Sequence, residues 1–138
     1  MSIEQTNPKS AWARLSDEND DCVYLDVRSV KEFETGHPKG AYNIPIMFMN
    51  ESGQMAPNEN FIEDVKSKFS ADKSLLLGCK SGGRSQRGCD ALDQAGFENL
   101  QNVQGGFLGT GPNPGWSQED LPKEDGSPEE RSYTKKGE

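Results

Sequence analysis

Two short apolar runs constrain this chain more than any other feature: Cys22-Val-Tyr-Leu-Asp-Val and Leu75-Leu-Leu-Gly-Cys. Neither alternates polar with apolar residues, so each reads as a strand buried on both faces, the pattern of a parallel sheet with helices on either side. Helical spacing lies between and after them. Ser10–Leu15 reads as a short helix capped by Ser10, with Trp12 and Leu15 on one side. Val30–Thr35 forms a turn or two stopped by Gly36. Phe61, Ile62, Val65 and Phe69 mark a helix capped by Asn58 or Asn60, and Ser85–Gln94 is a helix closed by Gly96. Ala41–Ile44 and Leu100–Val103 add short strands. Strands alternating with helices at this spacing predict an α/β domain with a mostly parallel central sheet flanked by helices.

The 138 residues suffice for one domain. The reading divides them into a loose N-terminus over 1–9, the folded domain over 10–122, and a polar, flexible tail over 123–138. From Ser117 onward only Leu121 and Tyr133 are large and apolar. The net charge of −8 excludes a general binder of nucleic acid or anionic membrane, and no apolar segment has the length of a bilayer span. The N-terminus lacks the basic start and apolar run of a secretory leader, so a cytoplasmic protein is expected. Three cysteines and one histidine, with no close pair among them, make neither a disulfide framework nor a zinc site. No metal and no cofactor are expected.

The second apolar run stops at Cys79 and turns into Lys80-Ser-Gly-Gly-Arg-Ser85. In open α/β sheets ligands gather at the carboxyl ends of strands, which is where Cys79 falls. Gly82 and Gly83 allow backbone angles closed to other residues, so amides from Lys80 to Ser85 can curl into an anion-binding nest around the sulfur. The positive end of the following helix adds to it, and together they favour thiolate over thiol. Charge agrees: Lys73, Lys80, Arg84 and Arg87 put a local +4 here, with no acid between them, inside a chain of −8. A small anion is drawn to this loop and repelled elsewhere.

Three chemistries could use such a loop. Gly78–Ser85 differs from a Walker phosphate loop only by Arg84 in place of lysine, but arginine's fork does not reproduce the lysine's point charge. Cysteine-dependent phosphate-ester hydrolysis places five residues between cysteine and arginine. Here four intervene, and the smaller ring suits a sulfur atom better than a tetrahedral phosphate. The third chemistry is sulfur transfer.

Asp26-Val-Arg28, Glu32-Phe33, Gly36-His-Pro-Lys-Gly-Ala-Tyr-Asn-Ile-Pro45, Cys79–Ser85, Ala95-Gly-Phe97, Asn102-Val103, Gly105-Gly106 and Leu121-Pro122 together resemble the rhodanese family in order and spacing, over residues 10–122. They are similar to the single-domain rhodaneses, small thiosulfate sulfurtransferases of bacteria and plants. The resemblance implies the three-layer rhodanese fold and a persulfide-forming nucleophile at Cys79. It also implies that Lys80, Ser81, Gly82, Gly83 and Ser85 form the anion loop, that Lys80 and Arg84 attract the donor, and that Arg84, catalytic with Cys79, also fixes the loop. Asp26 and Arg28 are possible supports, although an aspartate bonding backbone and an arginine pairing with an acid is the simpler role for them. The implied partners are a small anionic sulfur donor and a cyanide, thiol or protein acceptor, and a monomer is expected. A partner-binding or sulfur-carrying module without turnover is the alternative. The glycine- and proline-rich stretch Gly106–Trp116 departs from the family, and this bears on the rim of the site and on acceptor choice. His37, between glycine and proline, reads as structural, and Cys22 and Cys89 as buried thiols.

Overall fold

A computed structural model describes residues 3–133. In chain order the elements are β1 (Ile3–Thr6), α1 (Pro8–Leu15), β2 (Val23–Asp26), α2 (Val30–Thr35), β3 (His37–Pro38), β4 (Tyr42–Asn43), β5 (Met47–Met49), β6 (Met55–Pro57), α3 (Phe61–Lys68), β7 (Ser74–Gly78), α4 (Gly83–Gln94), β8 (Asn99–Val103) and β9 (Lys123–Glu124). Five strands form one sheet in the order β1-β8-β7-β2-β4, every neighbouring pair parallel. The two predicted runs, β2 and β7, are adjacent at its centre.

Period two along these strands sorts the core into two layers. Leu75, Leu77 and Leu25 pack with Phe61 and Val65 of α3 and Cys89 and Leu92 of α4. Leu76 and Tyr24 face the other way, onto Ala11 of α1, Phe33 of α2, and Trp116. The result is helix, sheet, helix: the three-layer arrangement expected. Each fully buried leucine removed from water contributes about 2 kcal/mol, so the central strands anchor both layers at once. No helix of the described residues is long and apolar enough to cross a membrane.

Two boundaries differ from the sequence reading. Residues 3–6 are not loose: β1 pairs with β8 from Ile3–Leu100 to Thr6–Val103. Helix α1 accordingly starts at Pro8, and Asn7, not Ser10, caps it by accepting the Ser10 amide at 2.9 Å. Four residues with one aliphatic among them carry little strand signal. It is the exposed edge of β8 that recruits them.

The C-terminal stretch is likewise docked as far as residue 133. β9 pairs antiparallel with β3. Glu124 Oε2 accepts from Arg131 Nη1 (2.6 Å) and the Gly40 amide (3.1 Å) and lies 3.1 Å from His37 Nε2. The Asn43 amide donates to Arg131 O at 2.8 Å, which covers the open edge of β4. These are polar contacts made by a polar segment, so hydrophobic patterning could not announce them. Residues 134–138 of the expected tail lie outside the described residues. His37 is fully buried, stacked on Phe33 at 3.6 Å, with Nδ1 donating to Phe33 O at 2.6 Å.

Candidate functional site

The site is assembled where β7 ends. A side chain at Gly78 would collide with the hydroxyl of Tyr24, so the last strand residue is small and the chain turns at once. Cys79 follows, and only 2 % of it is exposed. Its sulfur accepts the Gly82 amide at 3.1 Å and the Ser85 amide at 3.4 Å, with the Ser85 hydroxyl 3.5 Å away. Gly82 makes this possible with φ +129°, a region unfavourable to side chains.

Helix α4 begins at Gly83, two residues earlier than the sequence suggested, with Gly82 as its N-cap and no side-chain cap. A cap residue usually offers an oxygen to the amide of the second or third helical position. Here the third position is Ser85, and its amide goes to Cys79 Sγ. The sulfur therefore takes the place of the missing cap, at the helix end where negative charge is most favoured.

Amides point inward because carbonyls are held outward. The loop oxygens of Cys79, Lys80 and Ser81 accept from the amides of Phe107 (2.8 Å), Leu108 (2.9 Å) and Gly105 (3.1 Å). The turn after β8 thus forms a floor beneath the loop. It needs Gly106: with φ +53°, a Cβ there would collide with the Cys79 carbonyl oxygen. The segment after Gly106, read as a departure from the family, closes back on this floor. The Trp116 amide donates to Gly106 O at 2.8 Å, while the fully buried indole gives its Nε1 proton to Pro122 O at 2.6 Å.

Arg84 does not stand free as an anion-attracting cation. Its Nη1 and Nη2 donate to Glu32 Oε1 and Oε2 at 2.8 and 3.0 Å, a fork that ties the start of α4 to α2. Oε1 also accepts the amide and hydroxyl of Ser29, while the Glu32 amide donates to Ser29 Oγ, closing a capping box. Burial pushes the Glu32 carboxyl up, but the bonds from Arg84 and Ser29 prevail and hold it at about 2. The same carboxylate raises the guanidinium of Arg84. Lys73 lies 3.8 Å from Asp21, and Arg87 is 3.5 Å from Met47 Sδ. Lys80 and Ser81 are exposed on the loop.

Asp26 and Arg28 form a closed pair: Arg28 Nη2 to Asp26 Oδ2 at 2.7 Å, Nε to Oδ1 at 2.9 Å, both residues buried. Arg28 also donates to Gly36 O at 2.6 Å, and its guanidinium lies 4.7 Å above the ring of Phe107. The pair thus steadies the floor and makes no bond to the Cys79 sulfur. Cys22 and Cys89 differ from Cys79 in surroundings. Burial, reinforced at Cys22 by a bond to Asp20 and at Cys89 by the charges of Asp90 and Asp93, pushes their thiols up to about 11 and about 12.

Sequence reasoning missed Glu32 as the partner of Arg84, although Ser29-x-x-Glu32 is the capping-box signature. It also gave Gly105–Leu108 no part in orienting the loop; a glycine pair one residue past a strand end is the available signal for close backbone approach.

The chain matches the model of the Rhodanese-like domain over residues 7–110. It is 39 % identical over 99 residues to "Thiosulfate sulfurtransferase 16, chloroplastic" of Arabidopsis thaliana, covering 72 % of this chain and 77 % of that one. Against "Thiosulfate sulfurtransferase GlpE" of Glaesserella parasuis it is 27 % identical over 120 residues, 87 % and 92 % of the two chains. The chain spans about half the length of several further plant relatives. Among solved structures, that of Rv0390 from M. tuberculosis superposes with a TM-score of 0.75 at 24 % identity, covering 91 % of this chain and all of the other.

Proposed function

Since the chain belongs to the rhodanese family, we propose that it is a sulfurtransferase whose Cys79 carries the transferred sulfur as a persulfide. The observation that supports this most directly is the orientation of the loop: amides of Gly82 and Ser85 on Sγ, carbonyls of residues 79–81 turned to the floor. Such a ring stabilises negative charge on one sulfur atom, at the thiolate and again at the terminal sulfur of a persulfide.

The Cys79 thiolate attacks the outer sulfur of thiosulfate. The S–S bond of the donor breaks, and sulfite leaves with the electron pair. A nucleophilic acceptor, cyanide or a thiolate, then attacks the outer sulfur of Cys79–S–S⁻, and the Cys79 thiolate returns as leaving group. The transfer is split into two steps with no external oxidant or reductant. Lys80, exposed at the mouth, draws in the anionic donor, while Arg84 keeps the loop in register through Glu32. Gly83 opens α4 without a side chain to crowd the entrance. A protein persulfide or protein thiol fits the same chemistry as donor or acceptor. The reading has the protein act as a monomer in a reducing compartment such as the cytoplasm, where its three thiols stay free.

Incubation with thiosulfate is expected to add the mass of one sulfur atom to the peptide holding Cys79, and cyanide to discharge it as thiocyanate. Cys79→Ser should be folded and inactive; turnover in that variant sinks the reading. Uptake of sulfur without turnover to any small acceptor favours a carrier that hands sulfur to a protein.

A further inference from the structure

Ser85 meets the Cys79 sulfur twice, through its amide and through its hydroxyl. The hydroxyl has three acceptors within reach: Sγ at 3.5 Å, Gly82 O at 3.1 Å and Asn102 Oδ1 at 2.6 Å. It carries one proton, so these compete. The bond to Asn102 is much the shortest. At rest, therefore, the proton points to Asn102, and Ser85 Oγ turns lone pairs toward the sulfur.

Asn102 is 4 % exposed, and the strand's period of two puts it on the α4 side of β8, beside Leu100. Its oxygen, not its NH2, faces Ser85, and the reason can be traced outward. Asn102 Nδ2 donates to Gln5 Oε1 at 2.9 Å, Gln5 Nε2 to Gln86 Oε1 at 2.7 Å, and Gln86 Nε2 to Asp90 Oδ1 at 3.1 Å. A carboxylate only accepts, so Asp90 sets the direction of Gln86, Gln86 that of Gln5, and Gln5 that of Asn102. The chain joins α4, β1 and β8, and it gives the N-terminal strand a part in the site.

The geometry points to Asn102 as a positioning residue that holds the Ser85 hydroxyl proton away from Cys79 and releases it when the sulfur becomes anionic. The amides keep their protons throughout. One hydroxyl rotates, and the sulfur gains a third donor at the moment it carries charge. The inference rests on the proposed function only for the identity of the anion, thiolate or persulfide.

The test is alkylation of Cys79 by iodoacetamide at neutral pH, followed by peptide mass so that Cys22 and Cys89 do not contribute. It needs no sulfur donor, so it is read independently of turnover. Asn102→Ala leaves the hydroxyl to choose between Gly82 O and the sulfur, and the charge of the thiolate that alkylation consumes decides for sulfur, so alkylation is expected to speed up by about two- to ten-fold, the worth of one hydrogen bond. Ser85→Ala is expected to slow it, and the double variant to match Ser85→Ala. A general loosening of the fold would instead speed alkylation in the double variant as well. Should N102A lose its circular dichroism, Gln5→Ala, at an exposed position, takes its place with the same expected sign. An unchanged or slower rate in the folded variant of the two, or acceleration that persists without the Ser85 hydroxyl, overturns the proposal.

Discussion

Arg84 and Glu32 stand 52 positions apart and meet through two parallel bonds of 2.8 and 3.0 Å, so the first turn of α4 is clamped to the first turn of α2. A lysine offers one point charge where this carboxylate is met by a planar fork. Arg84→Lys is expected to lower kcat/KM for thiosulfate about ten-fold, equivalent to about 1.4 kcal/mol, with the fold intact by circular dichroism. Steady-state kinetics on the purified variant checks it.

The same carboxylate gives acid stability a direction. Glu32 is held at about 2 in the folded state against an ordinary value of 4.5, because the bonds from Arg84 and Ser29 outweigh its burial. A depressed carboxyl contributes stability that is fully present above the unfolded value and is lost as pH falls through the folded one. Denaturant melts from neutral pH downward should therefore show Glu32→Gln less stable than the parent at neutrality. The gap should narrow between about pH 4.5 and about pH 2. A gap that stays constant over this window shows that the charge of Glu32 is not what stabilises.

Gly106→Ala places a methyl group against the Cys79 carbonyl. The floor must then drop or the loop must rotate, and either moves the amides off the sulfur. Activity is expected to fall by roughly a hundred-fold, the scale of an ångström-level misplacement, with a smaller loss in thermal stability. Equal activity in this variant shows that the floor does not orient the loop.

Removal of residues 123–138 takes away Glu124 and Arg131 and uncovers the edge of β4. A melting temperature lower by at least about 5 °C is expected by calorimetry, given that each 1 kcal/mol shifts a domain of this size by about 4 °C. A tail that only hangs in solvent leaves the melting temperature unchanged.

Much of the fold was legible because burial dictates composition. β2 and β7 are apolar on both faces since helices cover both, and α3 and α4 show their period because one side of each, carrying Val65 and Leu92, packs against the leucines of the sheet. The loop was legible for a different reason: Gly82 and the cysteine at a strand end leave few uses for such a turn. What stayed hidden is held by polar bonds between distant residues. β1, the Glu124–Arg131 contacts, the Glu32–Arg84 fork and the Asn102–Gln5 bond carry no hydrophobic period, and each depends on a partner that only the folded chain brings near.

The floor under the sulfur comes from a separate strand turn, and this limits how the site could be enlarged. Lengthening the Cys79–Arg84 turn by one residue, as a bulkier tetrahedral guest would require, adds an oxygen for which Gly105, Phe107 and Leu108 have no spare hydrogen. On a loop where Lys80 and Ser81 are exposed, that oxygen turns to water, and the added residue has no tie to the floor. A wider turn held as firmly as this one therefore calls for a further donor from the segment after β8 as well.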